Sequence, residues 1–376
     1  TILLIHKHFY YIRFMILVTG GTGLVGAHLL YQLSLENNTI RAIFRKNSNL
    51  EAVKNVFSYF SEDFENLFKK IEWVEADITD VVALDKAFKN ITEVYHSAAL
   101  VSFNPKDYHK MRKINIEGTA NIVNFCIENT INKLCFVSSI AAVGKSLNSD
   151  FITETNEWDI EKSNYGYAIS KYGAEIEVWR ASQEGIPVII VNPGVILGCG
   201  FWKNGSGKIF DKIYKGFKYY SEGITGYVSV NDVVKAMQLL MKSEIQNERF
   251  ILVAENNSFK EVFTQIAANF NKNKPSVKST FDKYIINIDL SKFNDIDFES
   301  KDKVTKHTML NVVDLNTALD SLNKSKDLML ANFSKTMLQR SNKPSLNKNY
   351  KKTRLSHIDS KIAQQLNTSI SSRTFQ

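Results

Sequence analysis

The chain has 376 residues, of which 44% are hydrophobic and 23% charged, and this length allows it to bury a large core. It contains no uninterrupted apolar run of roughly 20 residues, which excludes a membrane-spanning helix of the usual kind. The formal net charge is +8, and the three cysteines form no CxxC pair, which argues against a disulfide framework and for a cytoplasmic location.

Short apolar runs alternate with helical patterns from Met15 to about residue 200. The predicted strands comprise residues 15–19, 40–44, 70–77, 92–99, 133–139 and 187–194, and the predicted helices residues 24–36, 81–90, 116–129 and 165–185. Because the strands are continuously apolar, we expect them to be covered on both faces. This order predicts an α/β fold with a doubly wound parallel sheet, that is, a Rossmann fold.

The pattern loosens after residue 200. Strands are predicted at residues 226–230 and 249–256, and helices at residues 231–245 and 259–272, between loop-rich stretches. We expect these elements to form a smaller C-terminal lobe at the carboxyl edge of the sheet, where open α/β folds bind ligands. Beyond residue 275 the sequence predicts no fold.

Three glycines, Gly20, Gly23 and Gly26, lie between the first predicted strand and the first predicted helix. This arrangement points backbone N–H groups and a helix N-terminus at a phosphate group. Gly20 allows the turn, Gly23 lets phosphates approach the backbone, and Gly26 lets the helix pack closely on the strand. The context therefore predicts a dinucleotide cradle rather than a glycine-rich turn without a ligand.

With the spacing GxxGxxG in TGGTGLVG (19–26), the chain resembles the extended short-chain dehydrogenase/reductase family, which includes NAD-dependent epimerases and dehydratases. Further motifs follow in the family's order: DITD (77–80), HSAA (96–99), NIEGT (115–119), VSSIAAVG (137–144), YAISK (167–171) and VNPGVILG (191–198). The resemblance covers roughly residues 15–270. It is nearest the dihydroflavonol-reductase and 3β-hydroxysteroid-dehydrogenase branch, although Cys199 stands where a proline is usual.

The resemblance implies which residues contact a nicotinamide dinucleotide. Besides the three glycines, these are Thr22, Leu24, Arg45, Asp77, Ile78, Ala98, Ala99, Asn115, Tyr167, Lys171, Pro193 and Val195. Among them, Asp77 is expected to accept a hydrogen bond from the adenine amino group, and small residues such as Ala98 leave room for the cofactor.

Tyr167 and Lys171 are four residues apart on a predicted helix, so their side chains project from one face. A tyrosine has an ordinary pKa of about 10, and a neighbouring ammonium together with an oxidised nicotinamide is expected to lower it. The resemblance implies that Tyr167 donates a proton to a carbonyl oxygen, that Ser139 holds this oxygen, and that Lys171 also holds the nicotinamide ribose. Ser138 is the alternative to Ser139.

A second Y-x-x-x-K pair, Tyr214 and Lys218, has no serine at the end of a strand before it. We therefore assign the catalytic role to Tyr167 and expect Tyr165 to line the pocket. The histidines show no metal-ligand spacing, so no metal is expected.

The turn after the second strand bears on the choice of cofactor. It reads FRKNSN (44–49) and has no acidic residue before Glu51, whereas NAD-binding folds place an acid near this point to bind the ribose 2′-hydroxyl. Arg45 and Lys46 instead offer positive charge suited to a 2′-phosphate. NADP is favoured over NAD, the alternative being a solvated basic turn.

Two predicted loops supply candidate substrate contacts. Ser102 and Phe103 lie in one, and Phe201 and Trp202 in the other, which would make an aromatic, rather apolar pocket, although each aromatic ring also suits a place in the core. The predicted function is hydride transfer between a nicotinamide and a carbonyl or alcohol of a moderately apolar small molecule. The alternatives are a nucleotide-sugar epimerase or dehydratase with tightly bound NAD, and a non-catalytic dinucleotide sensor.

The chain is accordingly divided into an N-terminal extension (1–14), a dinucleotide-binding domain (15–200), a substrate-binding lobe (201–275) and a basic C-terminal region (276–376). Charged and histidine residues interrupt the extension, so we do not interpret it as a signal peptide. Residues 331–376 carry nine Lys or Arg against one acid, which predicts a solvated end. We expect a small-molecule substrate, no nucleic-acid or membrane partner, and a homodimer.

Overall fold

The computed structural model describes residues 15–36, 38–144, 152–158 and 165–279. The predictions for residues 1–14, and for the C-terminal region beyond residue 279, lie outside the described residues. The strands are β1 (Met15–Thr19), β2 (Thr39–Phe44), β3 (Ile71–Glu75), β4 (Glu93–His96), β5 (Lys133–Val137), β6 (Val188–Pro193), β7 (Val195–Leu197), β8 (Tyr219–Tyr220), β9 (Ile224–Ser229), β10 (Glu248–Leu252), β11 (Glu255–Ser258) and β12 (Val277–Lys278).

The helices flank these strands. They are α1 (Leu24–Ser34), α2 (Leu50–Phe60), α3 (Phe64–Lys69), α4 (Val81–Ala87), α5 (Tyr108–Met111), α6 (Gly118–Glu128), α7 (Gly166–Gln183), α8 (Gly207–Tyr214), α9 (Val230–Lys242) and α10 (Phe259–Asn269). A π-helical segment, Arg112–Glu117, joins α5 to α6, and short 3₁₀ turns lie at Pro105–Asp107 and Ile140–Ala142.

Seven strands form one parallel sheet in the order β10-β6-β5-β4-β1-β2-β3. Every residue of β5 and of β6 is buried, because helices cover both faces, and this is why these strands read as continuous apolar runs. From β1 the chain continues to β2 and β3 on one side, and β4, β5 and β6 then follow on the other side. The strand order therefore reverses between β1 and β4. The predicted α/β fold with a doubly wound parallel sheet is confirmed.

Two hydrophobic cores lie on the two faces of this sheet. In β1, Ile16 and Val18 pack into one core and Leu17 into the other, as the two-residue period of a strand requires. The first core is completed by residues of α1, α2 and α9, and the second by residues of α4, α6 and α7.

The segment predicted as a separate lobe is divided between two sheets. The predicted strand at residues 249–256 is in fact two strands: β10 pairs with β6 in the central sheet, and β11 pairs antiparallel with β9. The smaller sheet has the order β11-β9-β7 and packs with α8 and α10 around a third core that contains Phe210, Phe259 and Phe263. Residue 200 is therefore not a boundary of the central sheet, since β10 closes one of its edges.

Candidate active site at the carboxyl edge of the sheet

The carboxyl ends of four neighbouring strands meet at one edge of the central sheet. Ser97 N donates to Thr19 O (3.2 Å), which joins the exits of β4 and β1. Ser138 N donates to Val191 O (2.8 Å), which joins the exits of β5 and β6. Because the strand order reverses between β1 and β4, this edge is where open α/β sheets form a ligand crevice.

The backbone of the glycine loop is closely packed at two of its glycines. Gly20 has φ of +72°, and a Cβ there would lie 2.6 Å from Ala98 N. A Cβ on Gly26 would lie 2.2 Å from Gly20 O and 2.8 Å from Gly21 Cα. The fold itself therefore requires glycine at both positions, one for the turn and one for the approach of α1 to the loop.

Gly23 is different, because the protein leaves room beside it. It is exposed, its backbone is extended (φ −103°), and a Cβ would meet only Gly20 O, at 3.4 Å. Gly23 precedes α1 without a side-chain cap, and the first turn of α1 contains no acidic residue. An open glycine and uncapped N–H groups at a helix N-terminus fit the phosphates of a dinucleotide.

A directional chain of hydrogen bonds fixes His96 at the end of β4. Thr119 Oγ1 donates to Asn115 O (2.6 Å), so it accepts from His96 Nε2 (2.9 Å). His96 Nδ1 then accepts from Thr19 Oγ1 (2.6 Å). Burial, and secondarily the nearby Lys171, lowers the pKa of His96 to about 3, so the ring is neutral and joins β4, β1 and α6 in one arrangement.

Asn115, predicted to contact the cofactor, lies in the π-helical segment and uses its amide group to fasten two elements together. Its Nδ2 donates to Leu100 O (3.0 Å) and to Ser170 Oγ (2.9 Å), and its Oδ1 accepts from Leu100 N (2.7 Å). Ser170 Oγ in turn donates to Tyr167 O (2.8 Å). Asn115 therefore connects the loop after β4 to the first turn of α7, and π-helical turns of this kind are frequent at functional sites.

Ser139 and Tyr167 are brought together by the structure. A side-chain hydrogen bond joins them, and Ser139 Oγ also accepts from Ala141 N (3.2 Å) at the start of the turn after β5. The alternative residue, Ser138, points elsewhere: its Oγ donates to Glu175 Oε2 (2.7 Å).

Burial dominates the electrostatics of Tyr167 and Lys171 in the protein alone. Burial raises the pKa of Tyr167 to about 12, against a smaller lowering by the hydrogen bond from Ser139, so the phenol is protonated at neutral pH. Lys171 Nζ donates to Val137 O (2.7 Å), and burial lowers the pKa of Lys171 to about 7. In the protein alone, burial is the largest influence on the pKa of both side chains, because it destabilises the charged form of each.

Two aromatic rings, those of Phe103 and Tyr165, lie beside Tyr167. The ring of Phe103 is centred 5.7 Å from that of Tyr167 and 6.0 Å from that of Tyr165. Ser102, predicted to contact substrate, donates to Asp107 Oδ2 (2.6 Å) and thereby stabilises the turn that follows. Phe103 and Tyr165 are thus the aromatic residues that the structure places with Tyr167.

The other two predicted substrate contacts pack into the protein. Phe201 is buried in the first core of the central sheet. The Trp202 ring lies against Phe210, Tyr214 and Phe270 in the third core, at centroid distances of 5.3–6.3 Å. Both rings are therefore packing residues, and the prediction that they line the pocket is corrected.

The predicted adenosine contacts lie around the glycine loop. Thr22 Oγ1 is 3.4 Å from Ser48 Oγ, and Ser48 also accepts from Arg45 N (3.1 Å), which places the basic turn after β2 next to the loop. Arg45 is exposed and forms no ion pair with the part of the chain that the structure describes. Asp77 Oδ1 accepts from Thr79 N and Oγ1 (2.9 and 2.7 Å), which orders the turn after β3.

The remaining predicted contacts flank the same edge. Leu24 begins α1, Ala98 and Ala99 follow β4, and Ile78 is buried against Gly118 at the start of α6. Pro193 ends β6, and Val195 begins β7.

The second Y-x-x-x-K pair does not form the same geometry. Helix α8 ends at Tyr214, and Lys218 lies beyond it with its Nζ 5.6 Å from the centroid of the Tyr219 ring. The two side chains therefore do not share a helical face.

A family model described as male sterility protein matches residues 18–242, more than half of the chain. The chain belongs to this family. The resemblance to the extended short-chain dehydrogenase/reductase family that the sequence motifs indicated is thereby confirmed. None of the helices in the described ranges combines the length and the apolarity needed to cross a bilayer.

Relatives of this short-chain dehydrogenase/reductase include reductases. A protein of Synechocystis sp. named "Putative dihydroflavonol 4-reductase" is 32% identical over 181 residues, which make up 48% of this chain and 49% of that protein. This chain thus spans about half the length of that relative. Tetraketide alpha-pyrone reductase 2 of Arabidopsis thaliana is 26% identical over 250 residues, 62% of this chain and 76% of that protein.

A solved structure shares the fold. The UDP-glucose 4-epimerase of Thermotoga maritima, crystallised with UDP-glucose, gives a TM-score of 0.61 at 22% identity, over 73% of this chain and 88% of that one. This similarity concerns the arrangement of sheet and helices.

Sequence analysis missed a buried polar cluster next to the Ser139–Tyr167 pair of this short-chain dehydrogenase/reductase. Glu175, Asn192 and Arg249 form it, and they come from α7, β6 and β10. Only Glu175 carried a signal in the sequence, because it lies one helical turn after Lys171 on the same face. Arg249 could not be found, since it approaches only when β10 pairs with β6.

Proposed function

We propose that this protein catalyses NADP(H)-dependent hydride transfer to and from the carbonyl or alcohol carbon of a moderately apolar small molecule, with Tyr167 as the acid–base group. The observation that carries this proposal is the hydrogen bond between Ser139 and Tyr167 at the sheet edge that also holds the glycine loop. A phenol and a serine hydroxyl side by side can address one substrate oxygen.

In the direction of reduction, Tyr167 Oη gives its proton to the substrate oxygen while Ser139 Oγ donates a hydrogen bond to the same oxygen. A nicotinamide held at this edge would supply the hydride for reduction or take it up in oxidation. With a pKa of about 12, Tyr167 holds its proton at neutral pH and is ready to act as the acid. Oxidation needs the phenolate and is therefore expected to become faster as the pH rises.

NADP is proposed over NAD because of the basic turn after β2. Arg45 and Lys46 are exposed there, and Ser48 connects this turn to Thr22 of the glycine loop. A guanidinium without an acidic partner among the described residues suits a 2′-phosphate.

The substrate is proposed to carry an apolar or ring-bearing group next to its carbonyl. Phe103 and Tyr165 stand beside Tyr167 and present rings to that position. The reductase names of the two relatives agree with this class of reaction. A homodimer stays a prediction from the sequence.

The proposal is tested with a panel of ketones, aldehydes and alcohols, each assayed with NADPH and NADH on wild type, Tyr167→Phe and Tyr165→Phe. We expect turnover with NADPH by wild type and Tyr165→Phe, and its loss in Tyr167→Phe. Equal turnover by wild type and Tyr167→Phe would exclude Tyr167 as the acid. Protein that keeps a non-exchanging NAD through purification would support the epimerase or dehydratase alternative, and cofactor binding without turnover would support the sensor.

A further inference from the structure

The carboxylate of Glu175 is buried beside the proposed catalytic residues and is surrounded by donors. Its side chain is 2% exposed. Oε2 accepts from Ser138 Oγ (2.7 Å) and from Asn192 Nδ2 (3.0 Å), and Oε1 accepts from Arg249 Nη1 (3.0 Å). A buried carboxylate with this many partners is held in one position.

These bonds connect α7 to the turn that carries Ser139. Asn192 Nδ2 donates to Ser139 O (3.0 Å) as well as to Glu175, and Ser138 is the residue directly before Ser139. Arg249 is itself held, because its Nε and Nη2 donate to Glu154 O (2.6 Å) and Asn156 O (2.7 Å). Glu175 is therefore the common point through which α7, β5, β6 and β10 fix Ser139 relative to Tyr167.

Glu175 also provides the negative charge nearest to Lys171 on α7. Lys171 Nζ contacts Val137 O of β5 (2.7 Å) and lies 4.3 Å from the centroid of the Phe136 ring, neither of which carries a charge. The titratable groups that face Lys171 from its surroundings are Glu175 and the protonated Tyr167 on its own helix and His96 at the end of β4. Arg249 balances Glu175 from β10. Because His96 is neutral, Glu175 carries the opposite charge for Lys171.

We propose that Glu175 is a positioning residue, which holds the Ser138–Ser139 turn against α7 and favours the positively charged form of Lys171. Its effect on proton transfer at Tyr167 rests on the proposed function, whereas its effect on Lys171 does not.

Burial and the charge of Glu175 act in opposite directions on the pKa of Lys171, so the effect of Glu175 can be measured as a change in that pKa. Burial already lowers the pKa of Lys171 to about 7, and Glu175 acts in the opposite direction. An opposite charge within a few ångströms changes a pKa by roughly 1–3 units. Removing the charge of Glu175 is therefore expected to leave Lys171 mostly neutral at pH 7, which removes the cation from the site.

The test measures the protonation of Lys171 without requiring turnover. Full-length wild type, Glu175→Gln and Glu177→Gln are labelled briefly with acetic anhydride between pH 5 and 11, and acylation of the peptide containing Lys171 is followed by mass spectrometry. Glu177 is a matched control, since it lies on the same helix and pairs at the surface with Arg180. We expect the labelling midpoint of Lys171 to fall by at least about one pH unit in Glu175→Gln, which makes the reaction about tenfold faster near pH 5, well below both midpoints, and to stay unchanged in Glu177→Gln.

The direction of the change separates this role from a merely structural one. A loosened site would admit water and raise the midpoint of Lys171 towards its ordinary value of about 10.4. A midpoint that rises or does not move in folded Glu175→Gln would overturn the proposal. If that variant does not fold, Glu175→Asp is measured instead. A labelling midpoint of Lys171 close to that of wild type supports the role of the charge, and a midpoint more than one pH unit lower contradicts it.

A second readout links Lys171 to catalysis. In the reductase assay, the alkaline loss of kcat/KM is expected to move to lower pH in Glu175→Gln by the same amount as the labelling midpoint, with Glu177→Gln following wild type. Absence of turnover in wild type would count against the proposed function alone, because the labelling result still decides the role of Glu175 towards Lys171.

Discussion

Replacing Gly23 by alanine tests whether the glycine loop holds a dinucleotide. Among the glycines of the loop, Gly23 is the one that the protein's own packing does not require. Its φ of −103° and ψ of 177° suit any residue, and the added Cβ would meet only Gly20 O, at 3.4 Å. Any large effect of the substitution must therefore arise from a ligand that approaches the exposed side of the loop.

The expected change in stability follows from opposing small effects. Alanine is a poorer residue than glycine before a helix, by about 0.5–1 kcal/mol, but it reduces the entropy of the unfolded chain by a similar amount. The free energy of unfolding should change by less than about 0.5 kcal/mol. Gly26→Ala is the contrasting variant: alanine gains about 1 kcal/mol of helix propensity, but its Cβ would lie 2.2 Å from Gly20 O, and overpacking against backbone costs about 1–3 kcal/mol.

The assay combines urea unfolding with a fluorescence titration of NADPH on wild type, Gly23→Ala and Gly26→Ala. We expect Gly23→Ala to unfold as wild type does and to bind NADPH at least tenfold more weakly, which corresponds to about 1.4 kcal/mol. Gly26→Ala is expected to lose both stability and affinity. Affinity of Gly23→Ala equal to that of wild type would refute the inference that dinucleotide phosphates contact this loop.

Three further outcomes are expected. Tyr167→Phe should lower the single-turnover rate of carbonyl reduction by about 100-fold or more, because it removes the acid, while the Kd for NADPH stays within about twofold. Tyr165→Phe also removes one hydroxyl and keeps the ring, so a comparable loss there would contradict the assignment of the acid to Tyr167 alone. Arg45→Ala should weaken NADPH binding by about tenfold and leave NADH binding unchanged in parallel titrations, and equal losses for both would remove the case for a 2′-phosphate contact. Burial lowers the pKa of His28 from 6.5 to about 4, so the unfolded chain binds more protons between these values, and His28 should contribute a fall of about 3 kcal/mol in the free energy of unfolding as the pH drops through this range, in addition to the fall from buried His96. His28→Gln should make the urea-midpoint profile less steep between pH 7 and 4, and an unchanged slope would assign the acid sensitivity to other groups.

The sequence was most informative where one local pattern decides the structure. The central strands could be predicted from short apolar runs. The glycine loop could be predicted from its glycines, since at Gly20 and Gly26 a Cβ would clash with neighbouring backbone atoms. The pair of Tyr167 and Lys171 was equally accessible, because helical spacing alone puts both on one face of α7.

Local patterns failed where burial in a distant core decides the structure. Helix α8 begins at Gly207 within a glycine- and lysine-rich stretch that reads as a loop, yet Ile209, Phe210 and Ile213 are buried in the third core and stabilise the helix. Trp202 shows the same limit for a side chain: its apolar character was evident, but whether it faces a pocket or the Phe270 ring depends on the fold.

The electrostatics of the site were beyond sequence reasoning for a related reason. The spacing of Tyr167 and Lys171 fixes their proximity but not the medium around them, and in the folded protein Lys171 is buried and Tyr167 half-buried. Desolvation then raises the pKa of the phenol and lowers that of the amine, so at neutral pH a protonated Tyr167 stands one turn from a lysine that is close to losing its charge. In this state Tyr167 retains the proton that the proposed reaction transfers to a substrate oxygen. The charge of Lys171 consequently depends on its surroundings, and Glu175, at the next turn of α7, is placed to supply it.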